Sequence, residues 1–543
     1  MVKCTKTPLL LAASILFFQS AAYVFPAEPY PQEEFVANIS ASAPEWRPHY
    51  AYNADEAQIL SAVFEGLFVY DPFDLEPVPA IAESWTVSED GKKWTFTLRE
   101  NAKFSSGERI TAEHFKNSLI ALLNPDLSAP YASLLDPVAG AAAYRNGETS
   151  DPALVGITAS GPRTLVIELV SRTEHLPKIL CHHAFSAVHP RDLASSAKAG
   201  EKQEPPISSG AFSVASVDGE RILLEKNPQY WDADRVELPS IKLVLSDDPD
   251  VLTSRFNRGE IHWLAGSVNV SRVLDSASIH INPMFATEYF FFRTTWGLGS
   301  NKGVRQALLK AVPWEELRSS YLIPAKTLVF PIAGYPELDG VSSNDPAEAS
   351  RLLKEAGILN PETELPLVIS IPEADSFKKL AEILKTAWEE LGFSVQIRVI
   401  PYGTYYNTLR RDDYSLGITS WIGDFADPLS FLEMFRPNSS LNDSGWKNDA
   451  YEQLILDASG KKQTKDRYSA LAEAEKLLLG EGIILPVAHN PSFNVIDLDG
   501  IAGWYTNALD IHPFKFIRFI PRKPLPGVVY SPSRVIPTAW AGL

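Results

Sequence analysis

Cysteine is nearly absent from this chain of 543 residues: there are two, Cys4 and Cys181. A framework of disulfides is excluded, and a chain of this length buries enough apolar surface to fold without one. Basic residues are in deficit, 49 Lys and Arg against 67 Asp and Glu, for a formal charge of −18. A surface of that sign repels polyphosphates, and no Lys/Arg run offers a local exception, so nucleic acid is excluded as a main partner. Long apolar runs are missing too. The longest near the start, Leu9–Phe18, falls short of the roughly 20 residues that span a bilayer. Catalytic signatures are equally scarce: there is no GxSxG, no HExxH and no P-loop, and only 10 His. A hydrolase with a dispersed triad therefore has nothing in the sequence to support it.

What is present at the N-terminus is a targeting pattern. Lys3 and Lys6 precede the apolar run, and Ser20-Ala21-Ala22 supplies small residues at a cleavage site, which predicts a signal peptide over 1–22. Cys4 precedes the apolar run, unlike a lipid-modified cysteine. The mature protein is expected to be exported and soluble, periplasmic or otherwise extracytoplasmic, with Cys181 its lone thiol.

The pattern beyond is mixed α/β. "ESWTVSEDGKKWTFTLRE" (83–100) predicts a hairpin turning at Asp90-Gly91, and "ITAEHFKNSLIALLNP" (110–125) a helix capped by Thr111. "DPAEASRLLKEAG" (345–357) predicts a helix with Asp345 as cap and Pro346 in its first turn. "LPLVISI" (365–371), a helix over 376–392 and "FSVQIRVI" (393–400) form a β-α-β unit, which implies a parallel sheet with ligand crevices at its strand ends. From Pro521 onward, five prolines predict an extended tail.

Two carboxylates interrupt the apolar run "ITSWIGDFADPLSF" (418–431). Asp427 precedes Pro428 and a helical pattern, so it is predicted to cap a helix. Asp424 has no such role. It follows a predicted strand, 414–422, at a strand-to-helix turn, where open α/β sheets bind ligands; beside Trp421 it suits a ligand ammonium group.

Several stretches in order carry a resemblance: "EGLFVYD" (65–71), "PAIAESWTVSEDGKKWTFTLRENAKFSSGERITAEHFKNSLIALLNP" (79–125), "SSGAFSV" (208–214), "LLEKNPQYWD" (223–232), "RFNRGEIHW" (255–263), "SWIGDFADPLSFL" (420–432) and "DIHPFKF" (510–516). Together they resemble the extracytoplasmic oligopeptide- and dipeptide-binding proteins of ABC importers. The resemblance implies a two-lobed α/β periplasmic-binding-protein fold (type II, cluster C), hinge-linked, with an additional third domain. Lobe I would comprise 23–70, 205–284 and 500–543, the additional domain 71–204, and lobe II 285–499. It also implies a monomer without cofactor that binds short peptides and delivers them to the transmembrane subunits of an ABC permease. A nickel complex or haem is the alternative ligand within the superfamily.

By the same resemblance Asp424 holds the peptide amino group, and Ser420, Ile422 and Gly423 border Trp421 with main chain that pairs with ligand. Tyr131 lines a pocket, while Ser209 and Gly210 lie where the chain crosses back to lobe I. Two positions at which some relatives carry a base for the peptide carboxylate are here Ile418 and Phe377. Arg293 is offered as a substitute anion ligand. "CHHAFSAVH", with Cys181, His182, His183 and His189, matches no standard zinc spacing, and no metal site is expected there.

Overall fold

The computed structural model describes residues 34–521, apart from 41, 195–203, 267, 359–364 and 402–403. The expected signal peptide and the tail after Pro521 lie outside the described residues. One ten-stranded sheet organises the molecule. In chain order its strands are β1 Phe35–Asn38, β2 Phe212–Val217, β3 Arg221–Lys226, β4 Ser240–Val244, β5 Trp263–Ala265, β6 Ile279–Phe292, β7 Pro366–Pro372, β8 Ser394–Ile400, β9 Leu416–Ile422 and β10 Ile484–Ile496. Their order across the sheet is β8-β7-β9-β6-β10-β5-β1-β4-β3-β2. Strands β5 to β2 make the first lobe and β8, β7 and β9 the second.

The strands β6 and β10 belong to both halves. Near Ile279 β6 pairs with Val495, beside the point where β10 meets β5; at its other end it pairs with β9 and with Ile484. Between these ends Pro283 faces Pro491, and the register slips before Thr287 meets His489. Proline cannot donate to a ladder and a bulge bends the strand that carries it, so the sheet is weakest where the halves join. That is the hinge of a two-lobed fold.

The β-α-β unit forms as its pattern predicts. Helix Asp375–Glu389 links the parallel strands β7 and β8, and its Trp388 is buried with the indole N–H on Leu308 O at 3.0 Å. The hairpin appears as Ala82–Val87 and Lys93–Leu98, joined by Gly91 at φ +72°, in a separate four-stranded antiparallel sheet with Thr164–Glu168 and Ile157–Gly161. Trp94, Phe96 and Leu98 bury one face of it, as period-two alternation requires. The apolar core of this additional domain, from Phe96 and Phe115 to Tyr131, runs on without a break into that of the second lobe around Trp421 and Phe431, while the first lobe keeps a core of its own.

Helix Pro346–Glu355 starts as expected: Asp345 Oδ1 accepts the Glu348 N–H at 3.0 Å. Asp345→Ala should cost about 1 kcal/mol of stability, read from the shift in urea midpoint at constant m-value; a loss below a few tenths would show that solvent replaces the cap.

Candidate functional site

Strand β9 has one paired edge and one partly open edge. Along its full length it pairs with β6, but β7 reaches it only at Leu416 and Gly417. Beyond that point the Ile418 N–H and C=O both go to the Tyr405 hydroxyl, at 2.9 and 2.8 Å. Alternate residues of a strand present their main chain to the same side. The N–H and C=O of Ser420 and Ile422 therefore face the side where β7 has ended, and neither has a backbone partner there among the described residues. Ser420 is exposed, its hydroxyl accepting from Asn490 Nδ2 at 2.7 Å. Trp421 points the other way, into the core, with its indole N–H on Ser430 O at 3.0 Å.

The turn after β9 is tight. Gly423 donates to Phe285 O at 2.8 Å, and a Cβ on it would lie 2.5 Å from the Phe285 ring, so no larger residue fits without displacing that ring. Asp424 follows, and is 8 % exposed. The Tyr70 hydroxyl donates to its carbonyl at 2.7 Å. Its Oδ1 lies 4.0 Å from His182 Nε2, and its Oδ2 is buried without a hydrogen-bond partner. Burial pushes this carboxyl well above the usual carboxylate range, and nearby Glu433 adds to the effect. No Lys or Arg lies within salt-bridge distance of it among the described residues. Asp424 is thus a buried acid lacking a cation.

Its surroundings come from every part of the chain. Tyr52, just before the cap of helix Ala54–Val63, packs against Tyr131, Tyr406 and Trp421 with ring centroids 6.4, 5.4 and 6.0 Å away. The Tyr131 hydroxyl donates to Tyr52 O at 3.2 Å, and its ring lies 4.3 Å from that of His182. His182 accepts the Ala184 N–H on Nδ1, which leaves Nε2 facing Asp424. Burial lowers the imidazole well below its usual value, so it is neutral and offers a dipole, not a charge. Beside this wall, among Tyr52, Thr419, Trp421 and Asp443, is a cavity of about 20 Å³, room for one water.

Other expected site residues go elsewhere. Ser209 and Gly210 pack where the first lobe meets the additional domain: the Ser209 hydroxyl donates to Ala187 O at 2.8 Å, and a Cβ on Gly210 would lie 2.6 Å from Ala62 O. Neither is brought to Asp424. Arg293 is spent on the start of β9. Its Nη1 donates to Leu409 O and Asp412 O at 3.2 and 3.3 Å, and its guanidinium sits 5.0 Å from the Tyr414 ring centroid. Nine residues of mostly extended chain, about 30 Å at the usual rise, separate Ser415, which bonds the Arg293 N–H, from Asp424. The cation on the cleft wall is instead Arg410, with Nε 3.0 Å from Asp443 Oδ1 and its guanidinium 5.5 Å from the Tyr52 ring centroid. Ile418 is fully buried and Phe377 packs on the core. The "CHHAFSAVH" residues diverge: His189 bonds Glu108 at 2.9 Å, the Cys181 thiol donates to Pro177 O at 3.3 Å, and His182 turns to Asp424. Among the described residues, no group of His, Cys, Asp and Glu is arranged to hold a metal.

Asp427 is capped and paired at once. Its Oδ1 accepts the Leu429 N–H at 3.0 Å, as the capping pattern predicts, with the helix Leu429–Leu432 starting one residue later than expected. Both its oxygens also bind Arg467, at 2.6 and 2.8 Å, a partner the local sequence could not reveal.

Two lobes on one bent sheet, an additional domain, and an open strand edge ending at a buried acid define a hinged solute-binding protein. Residues 76–443 match the family model described as bacterial extracellular solute-binding proteins, family 5. The chain belongs to that family. It is 28% identical to the dipeptide-binding protein DppE of Bacillus subtilis over 81% of this chain and 83% of the relative. It also superimposes on the murein tripeptide-binding protein MppA of Escherichia coli with a TM-score of 0.80 at 26% identity, covering 90% of this chain and 98% of that one. Against the unliganded open form of MppA the TM-score is 0.63, with 90% and 97% covered. The present lobe arrangement is therefore less like that open form. Among the described residues no helix is long and apolar enough to cross a membrane.

Proposed function

We propose that this protein captures short peptides in the cleft between its lobes and delivers them, in the closed form, to the membrane subunits of an ABC importer. The observation that carries the reading is the free edge of β9 running into Asp424. A peptide added to that edge pairs its main chain with Ser420 and Ile422, which is affinity without side-chain readout. Its ammonium group ends beside Asp424, the charge that end of the peptide needs. Contacts to both lobes favour closure, and only such differential contact shifts the equilibrium. The relatives named for a dipeptide and a murein tripeptide agree in ligand class. In this reading the protein is an exported monomer that retains peptides without turning them over.

The test is mass spectrometry of small molecules released when the purified protein is denatured. A mixture of short peptides is the expected result; a single non-peptide species would overturn the reading. Arg410 is the proposed partner for the peptide carboxylate. Arg410→Ala should weaken a tripeptide acid about tenfold more than its C-terminal amide, whereas Arg293→Ala should affect acid and amide alike. Calorimetry on the four pairs decides: an acid-selective loss with Arg293→Ala would restore Arg293 to the site.

A further inference from the structure

A second cavity lies apart from the interlobe cleft. It lies between the first lobe and the additional domain, has a volume of about 770 Å³, and is lined in part by Phe73, Arg99, Trp231, Val236, Tyr505 and Lys515. That volume falls within the roughly 300–1,000 Å³ usual for small-molecule sites. No residue of the second lobe borders it.

The floor of the cavity is a fixed polar network. Glu65, 5 % exposed, accepts the Tyr230 hydroxyl, the Trp231 indole N–H and the Lys515 ammonium together. Trp231, locked in this way, carries the Arg99 guanidinium over its ring, 3.8 Å from the centroid. Arg99 Nε donates to Ala80 O at 2.6 Å, which fixes the fork in one orientation. At the mouth, Phe73 and Tyr505 meet edge to face at 5.6 Å, one from each domain, and they remain 70 % and 42 % exposed. Aromatic rings left this open on both sides of a cavity are a surface suited to an apolar guest.

The charges then define the guest. Lys515 has Glu65; Arg235 faces Asp232 and Arg518 faces Glu237, each at 3.7 Å. Asp71 Oδ1 accepts the Phe73 and Asp74 N–H groups, at 2.9 and 3.3 Å. Arg99 alone among the cavity's cations has no carboxylate partner among the described residues, and its two terminal amino groups make no hydrogen bond there. A guanidinium held rigidly by stacking, with its outer edge free, matches a carboxylate in bidentate fashion. We propose that this cavity is a second binding site, separate from the peptide cleft, for a small carboxylate with an aromatic body, held by Arg99 and by the Phe73–Tyr505 lip.

Indole-3-acetate serves as the probe, with indole-3-acetamide as its uncharged control, titrated against the full chain by calorimetry. The acid is expected to bind at one site at least tenfold more tightly than the amide. Arg99→Gln should erase that preference, and Phe73→Ala or Tyr505→Ala, on the exposed rim and safe for folding, should weaken acid and amide together by several-fold. Asp424→Asn should leave the probe's affinity unchanged even where it weakens peptide binding, which separates this site from the cleft. Absence of saturable binding, equal binding of acid and amide, indifference to the rim variants, or loss of binding with Asp424→Asn would each overturn the proposal.

Discussion

Asp424→Asn is expected to weaken a short peptide with a free amino terminus by about 2 kcal/mol, roughly thirty-fold, measured by calorimetry near pH 7. Asparagine keeps the shape and one acceptor but removes the charge that the ammonium group meets. The same peptide, N-acetylated, should bind the wild type weakly and the variant no worse. Unchanged affinity of the free peptide for the variant would remove Asp424 from the site. The wild type should also show a pH dependence with a definite sign. Burial raises this carboxyl in the closed form, so closure of the free protein takes up a proton. Its contribution to the closed form is complete below the ordinary carboxylate range and is lost as pH rises through the raised value. A peptide ammonium reverses the preference, because it stabilises the ionised carboxylate. Small-angle scattering should therefore find the free protein more open at pH 8 than at pH 5, the peptide-bound protein equally closed at both, and Asp424→Asn insensitive to pH over that interval. An identical radius of gyration for the free wild type at both values would refute the linkage.

The largest loss of stability should come from Arg467→Met. Burial alone would raise the Asp427 carboxyl, but the two bonds from Arg467 outweigh it and hold the group below its usual value. With the guanidinium gone, a carboxylate only 5 % exposed has one backbone N–H left to bond. Breaking a buried pair in this way costs about 3–5 kcal/mol. The loss should show as a fall in the urea midpoint, and adding Asp427→Asn should recover a good part of it. The sign with pH follows from the lowered value: the pair stabilises above the normal carboxylate range, and its contribution fades as acid protonates Asp427. A single-variant loss under 1 kcal/mol would show that water reaches the site and replaces the guanidinium.

Asp427 also illustrates what a sequence discloses. Its capping role follows from the next few residues, since Pro428 and the helical pattern after it are local. Arg467 lies 40 residues on, and nothing near 427 points to it. The same division runs through the site. The hairpin at 83–100, the cap at Asp345 and the strand-turn-helix at 416–432 are set by turn chemistry and periodicity, and they are readable. The wall that faces Asp424 is not. Tyr70 is 354 positions away and His182 belongs to another domain; only the tertiary packing brings them together. The contacts of Arg293 were illegible for a related reason. Its place near a cleft strand was legible, but the carbonyls of Leu409 and Asp412 that consume its donors are exposed by a loop whose path no pattern encodes. Arg410 carried no signal that set it apart from Arg411.

The pair of prolines facing each other across β6 and β10 has a bearing on how guests of unequal length are treated. Because the pairing of the two strands is interrupted at that crease, the halves are expected to swing like a door on one axis there. They do not settle independently around each cargo. Such a door has a single shut position, so a dipeptide and a longer peptide would be enclosed in the same final shape. The difference in bulk would then be made up by water within the chamber, and discrimination by size would reside in the chamber's length, not in how far the door travels.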